Sequence, residues 1–138
     1  EALGIQVKLH GHNGIDVAGT VNNMALVHRK QGKLPEALRG FEEALCIYKA
    51  LPGEEEHDRV TASLHNIALV HRDQGKLPEA LRGFKEALRL KRNARGDTHP
   101  DLIGTLNCIS GLCREQGKVS EALEHLEEAL QISEKRLG

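Results

Sequence analysis

Apolar residues recur at spacings of three and four along this chain, in paired runs separated by a short glycine break. Val17, Val21, Met24, Ala25 and His28 fall on one helix face. Gln31-Gly32 closes that helix, because glycine takes the left-handed conformation that a helix end needs. Pro35 opens the next helix, where a missing N–H costs nothing. Leu34, Ala37, Leu38, Phe41, Ala44, Leu45 and Tyr48 line that second helix, which closes near Pro52-Gly53. The same order returns with Val60, Leu64, Ile67, Ala68 and His71 before Gly75 and Pro78, then Leu81, Phe84, Ala87 and Leu88. It returns again with Leu102, Leu106, Ile109, Ser110 and Cys113 before Gly117, then Ala122, Leu123, Leu126, Ala129, Leu130 and Ile132. The pattern predicts helices over 16–31, 34–50, 58–74, 77–93, 100–116 and 119–137, and no strand.

The pairs are copies. QGKLPEALRGF stands at 31–41 and again at 74–84, and QGKVSEALEHL stands at 116–126. The step is 43 residues, then 42. Glu-Ala-Leu keeps the same register at 1–3, 43–45, 86–88 and 128–130, and so does glycine at 11, 53, 96 and 138. A period in this range marks a repeat array, in which each unit buries its apolar face on its neighbour. The units are 16–53, 58–96 and 100–138, and residues 1–11 match the end of a preceding repeat helix. Thr98-His99-Pro100-Asp101 predicts a threonine N-cap, with Asp16 and Asp58 at the place of Asp101 near a helix N-terminus. Gly40 and Gly83 interrupt second helices at about 1 kcal/mol each against Ala, and close helix–helix approach is the expected reason.

Composition narrows the function. There are 19 basic and 20 acidic residues, net charge −1. A general nucleic-acid or anionic-membrane binder needs a basic excess. No apolar run approaches the roughly 20 residues that cross a bilayer, and the start EALGIQVKLHG has neither a basic leader nor an apolar signal core. Phe41, Phe84 and Tyr48 are the whole aromatic set, too few for base or sugar stacking. Cys46, Cys108 and Cys113 do not recur between units, so they read as small buried apolar residues in a reducing, cytoplasmic setting rather than a disulfide framework. No Gly-rich phosphate loop, Cys-x-x-Cys or HExxH motif occurs, and no cofactor or catalytic set is expected. His10-x-His12 is a close histidine pair without a third ligand, so no metal site is expected.

Small residues at fixed places in a helix pair resemble the tetratricopeptide repeat. Its places hold Val21, Met24, Ala25, His28, Ala37, Phe41 and Ala44, then Leu64, Ile67, Ala68, His71, Ala80, Phe84 and Ala87, then Leu106, Ile109, Ser110, Cys113, Ala122, Leu126 and Ala129. The period of 42–43, the Asn-Asn before Met-Ala and the linker GDTHPD look like the variant in kinesin light chains and nephrocystin-type proteins. Tryptophan, the tyrosine of the usual pattern and its closing proline are missing. The resemblance implies an all-α, right-handed superhelical solenoid whose first helices line a concave groove for an extended partner peptide.

Helix geometry selects the side chains for that groove. At about 100° per residue, Asn22, Leu26 and Arg29 lie opposite Val21, Met24 and His28. Their counterparts are His65, Leu69 and Arg72, then Asn107, Gly111 and Arg114. An arginine row holds carboxylates or phosphates by bidentate bonds, an Asn/His row pairs with peptide amides, and Leu26 and Leu69 give an apolar floor. Asn23, Asn66 and Lys30 form a second tier. The competing reading is a solvated or intramolecularly paired arginine face. The function expected is a non-catalytic module binding an acidic peptide segment. The alternatives are a scaffold that self-associates end to end, or the ligand-sensing repeats of a larger signalling ATPase.

Overall fold

A computed structural model describes residues 14–51 and 53–137. The helical remnant expected at 1–11, with Gly11, His10 and His12, lies outside the described residues, as do Pro52 and Gly138. Among the described residues the chain is all-α: α1 (Gly14–Lys30), α2 (Leu34–Ala50), α3 (Glu54–Asp73), α4 (Leu77–Arg95), α5 (Asp101–Glu115) and α6 (Val119–Leu137). Each helix packs on those before and after it in sequence, the arrangement of a solenoid.

The turns inside each pair are built as their sequence requires. Gly32, Gly75 and Gly117 have φ of 79°, 78° and 78°. After each, a lysine N–H reaches back to close the helix: Lys33 to His28, Lys76 to His71 and Lys118 to Cys113, each at 2.8 Å. This is a Schellman closure, which satisfies carbonyls that the helix end would leave orphaned. Gly40 and Gly83 mark where paired helices touch. A Cβ added at Gly40 would stand 2.8 Å from the Ala25 Cβ, and one at Gly83 would stand 2.9 Å from the Ala68 Cβ.

The core runs from unit to unit. Phe41 meets Ala25 and Ala37 of its own pair and Val70 of the next. Phe84 joins Ala68, Leu81 and Leu88 to Leu106, Ile109 and Leu112 of the third unit. Both phenylalanines are fully buried, a contribution of about 1.5–3 kcal/mol each. The same repeat place therefore has opposite environments: Val70 and Leu112 are 0% and 1% exposed, whereas Val27 is 55% exposed. Val70 is buried against Phe41 of the unit before it. Met24, expected in the core, is 51% exposed.

Four further expectations need correction. The cap before α5 is not Thr98: the Asp101 N–H donates to the His99 ring Nδ1 at 3.1 Å. Asp58 is not at a helix start, because α3 begins at Glu54; it instead accepts from Arg95 Nη2 at 2.7 Å. His28 and His71 are half-buried rather than core residues. Of the cysteines, only Cys113 is buried; Cys108 is intermediate and Cys46 exposed.

Candidate functional site

The arginine row is not uniform. Arg29, near the end of α1, donates from Nε to Asp73 Oδ2 at 2.6 Å, across to the last residue of α3. This pairing was the competing reading of the row, and it holds for Arg29. Both side chains are about a third exposed, so the pair contributes no more than about 0.2–1 kcal/mol. Arg72 and Arg114, at the same repeat place, make no ion pair among the described residues.

Arg72 helps to wall a recess of about 230 Å³ between α3 and α5, with Asn107, Cys108, Gly111, Leu112 and Glu115. Gly111 keeps this recess open, since nothing lies within 4 Å of where its Cβ would be. Both proposed polar rows thus meet at one place: Arg72 offers a bidentate donor and the exposed Asn107 an amide. The third arginine, Arg114, is exposed at the end of α5.

His65 departs from its expected role. Its ring meets the Phe84 ring edge-on, with centroids 5.0 Å apart, and its Nδ1 is buried without a partner. Burial, then the positive charges of Lys91, Arg72 and Arg29, lower its pKa to about 4. His65 is therefore neutral at pH 7, and the row of peptide-pairing groups is interrupted at its centre. It lines a second recess of about 240 Å³ with Asn66, Lys91, Arg95, Asp58 and Asp101. Lys91 is held there by Thr105 Oγ1 at 2.9 Å and the Asp101 carbonyl at 3.3 Å, and burial lowers its pKa.

The other chosen residues divide. Leu26 is 42% exposed, as an apolar floor requires, whereas Leu69 is partly buried and packs on the core of the second and third units. Asn22 is half-buried, and Asn23 and Lys30 are exposed on α1. Sequence reasoning missed Asp73 and Lys91. Asp73 carried a signal: its counterparts are Lys30 and Glu115, so an acid follows the arginine in the second and third units but not the first.

Helix pairs stacked in sequence order define an α-solenoid. This fold presents a surface rather than an enclosed cavity. The tetratricopeptide repeat profile matches residues 17–58 and 59–135, and the chain belongs to that family. Its repeats generally mediate protein–protein interaction and are typically non-catalytic. Among solved structures, the chain is similar to a kinesin light chain of nearly identical TPR-like repeats from Podosopora anserina (23% identity, TM-score 0.72, covering 86% of this chain and 56% of that one). It is also similar to BtubC (BKLC) from P. vanneervenii (17%, 0.78, 96% and 53%), and to aspartyl phosphate phosphatase F from Bacillus subtilis (18%, 0.78, 88% and 31%). The chain spans little more than half the length of the first two. At these identities the likeness establishes the fold alone. No curated protein matches the sequence. No helix among the described residues is long and apolar enough to cross a membrane.

Proposed function

We propose that the chain is a binding module that takes an extended, acidic peptide segment along its first-helix face. The observation that carries this reading is the recess of Arg72, Asn107 and Gly111, where an unpaired guanidinium and an exposed amide share one opening. The charges of Lys91, Arg72 and Arg29 act on the neighbouring His65, while Glu115 also lines the recess and Asp73 offsets Arg29. One unpaired guanidinium on a near-neutral protein favours a carboxylate-bearing partner over a polyanion, which needs charge throughout. Arg72 and Arg114 are the anchoring cations, Asn107 pairs with the peptide backbone and Leu26 supplies apolar contact. Arg29 has a secondary role because Asp73 already holds it.

Selection from a random peptide display library tests this. Enriched peptides should carry Asp or Glu, bind less tightly as salt rises, and lose at least tenfold affinity to a variant with Arg72→Ala and Arg114→Ala. Enrichment of peptides without acidic residues would refute the reading.

A second reading rests on α6. Val119, Leu123, Leu126 and Leu130 are 66%, 55%, 45% and 58% exposed. Leu126 stands at the repeat place of the fully buried Phe41 and Phe84. This face fits the first helix of another repeat, as α3 presents Val70 to Phe41, and end-to-end association would supply that helix from a second copy. Sedimentation velocity over a hundredfold concentration range tests end-to-end association; a strict monomer excludes it.

A further inference from the structure

The third unit departs from the other two at the turn end of its helix pair. The first two units place His28 and His71 near the end of the first helix, and Gly40 and Gly83 in the second. The third has Cys113 in place of the histidine and His125 in place of the glycine, and keeps the glutamate, Glu121, that corresponds to Glu36 and Glu79. Glu121 and His125 are four residues apart on α6, so they share one helix face, and Cys113 faces them from α5.

The side chains converge. One donor atom from each of Cys113, Glu121 and His125 lies within 4.8 Å of the others, and His125 Nε2 is 3.8 Å from Glu121 Oε2. With bonds of about 2.0–2.3 Å, the donors of a tetrahedral zinc centre stand roughly 3.3–3.8 Å apart. Small side-chain rotations close the remaining gap. Cys113 is buried, while Glu121 and His125 are 34% and 20% exposed on the side open to solvent.

We infer that Cys113, Glu121 and His125 form a binding site for a divalent transition metal of the zinc type, clamping α5 to α6 in the third unit. Thiolate, imidazole and carboxylate are the donor set for a borderline-soft cation rather than magnesium or calcium, which take oxygen ligands. Binding sends the Cys113 thiol proton to solvent, and the two anionic ligands then balance the 2+ charge. Three protein ligands leave the fourth position to water. One group competes: Lys85 Nζ donates to Glu121 Oε2 at 3.0 Å. Lys85 is 48% exposed, so it swings away at little cost.

Cobalt(II) titration of the protein tests the site, because a thiolate ligand gives a near-ultraviolet charge-transfer band that histidine or carboxylate sites lack. The expected result is one cobalt per chain, micromolar affinity and displacement by zinc. Cys113→Ser should abolish the band, His125→Ala should weaken binding at least tenfold, and Cys46→Ser and Cys108→Ser should change neither. Lys85→Gln should tighten binding a few-fold by freeing Glu121, and circular dichroism checks that each variant is folded. The inference is overturned if no thiolate band forms, if the band survives Cys113→Ser, or if Lys85→Gln weakens binding.

Discussion

Replacing Gly83 by alanine sets two effects of opposite sign against each other. A mid-helix glycine is worse than alanine by about 1 kcal/mol, so on propensity alone the change stabilises α4. The new methyl, however, would stand 2.9 Å from the Ala68 Cβ and 3.5 Å from its Cα. Carbon atoms at rest sit about 3.5–4.0 Å apart, so α3 and α4 must separate by several tenths of an ångström. Neither atom belongs to a flexible side-chain tip that swings aside, and Phe84 is packed beside the contact. Overpacking of this kind costs about 1–3 kcal/mol, so the net effect of Gly83→Ala is destabilisation by roughly 0–2 kcal/mol. Gly19→Ala is the control, because nothing lies within 4 Å of the new methyl; it should stabilise by up to about 1 kcal/mol. Urea unfolding of both, followed by helical circular dichroism, measures the difference. A double-mutant cycle of Gly83→Ala with Ala68→Gly isolates the contact, with a favourable coupling of about 1 kcal/mol expected. If Gly83→Ala stabilises as much as Gly19→Ala and shows no coupling, the close-approach account of these glycines is wrong.

Other outcomes follow from the same geometry. Phe84→Ala should cost about 3–5 kcal/mol and loosen the second unit from the third, since the ring bridges both; hydrogen exchange in α3–α5 reads the location. A double-mutant cycle on Arg29 and Asp73 should give no more than about 0.2–1 kcal/mol, as expected of a partly exposed pair. Stability should fall with acid in two steps. His65 is lowered to about 4 in the folded state, so the unfolded chain takes up its proton first, and stability declines from about pH 6.5 to pH 4. Glu128 is lowered by its hydrogen bonds to Arg92, so its contribution, present above the unfolded carboxylate pKa, is lost as pH falls further. His65→Gln should flatten the first step and Glu128→Gln the second, in urea titrations across pH.

Much of the fold was legible because its punctuation is local. Gly32, Gly75 and Gly117 close helices with left-handed backbone, and Pro35 and Pro78 open the next, so the predicted second helix at 34–50 matches α2 residue for residue. Gly40 and Gly83 also signalled their contact. What the sequence hid is set by neighbours distant along the chain. Val27 and Val70 are the same residue in the same repeat place, yet Val70 is buried because Phe41 of the first unit packs against it, a contact no spacing within its own helix reveals. Arg29 looks like Arg72 until Asp73 is brought across from the first helix of the next unit. His65 has the spacing of a groove residue, but Phe84 draws its ring inward. Cys113 lies on α5 while Glu121 and His125 lie on α6, so no spacing in one segment announces all three.

Nuclear magnetic resonance of the protein with a selected acidic peptide reports both where the peptide sits and what charge it brings. The account predicts shift changes concentrated at Arg72, Asn107, Gly111 and Arg114, and a rise in the His65 pKa as peptide carboxylates offset the nearby Arg72 and Lys91 charges. Changes confined to α2, α4 and α6, with the His65 pKa unmoved, would contradict it.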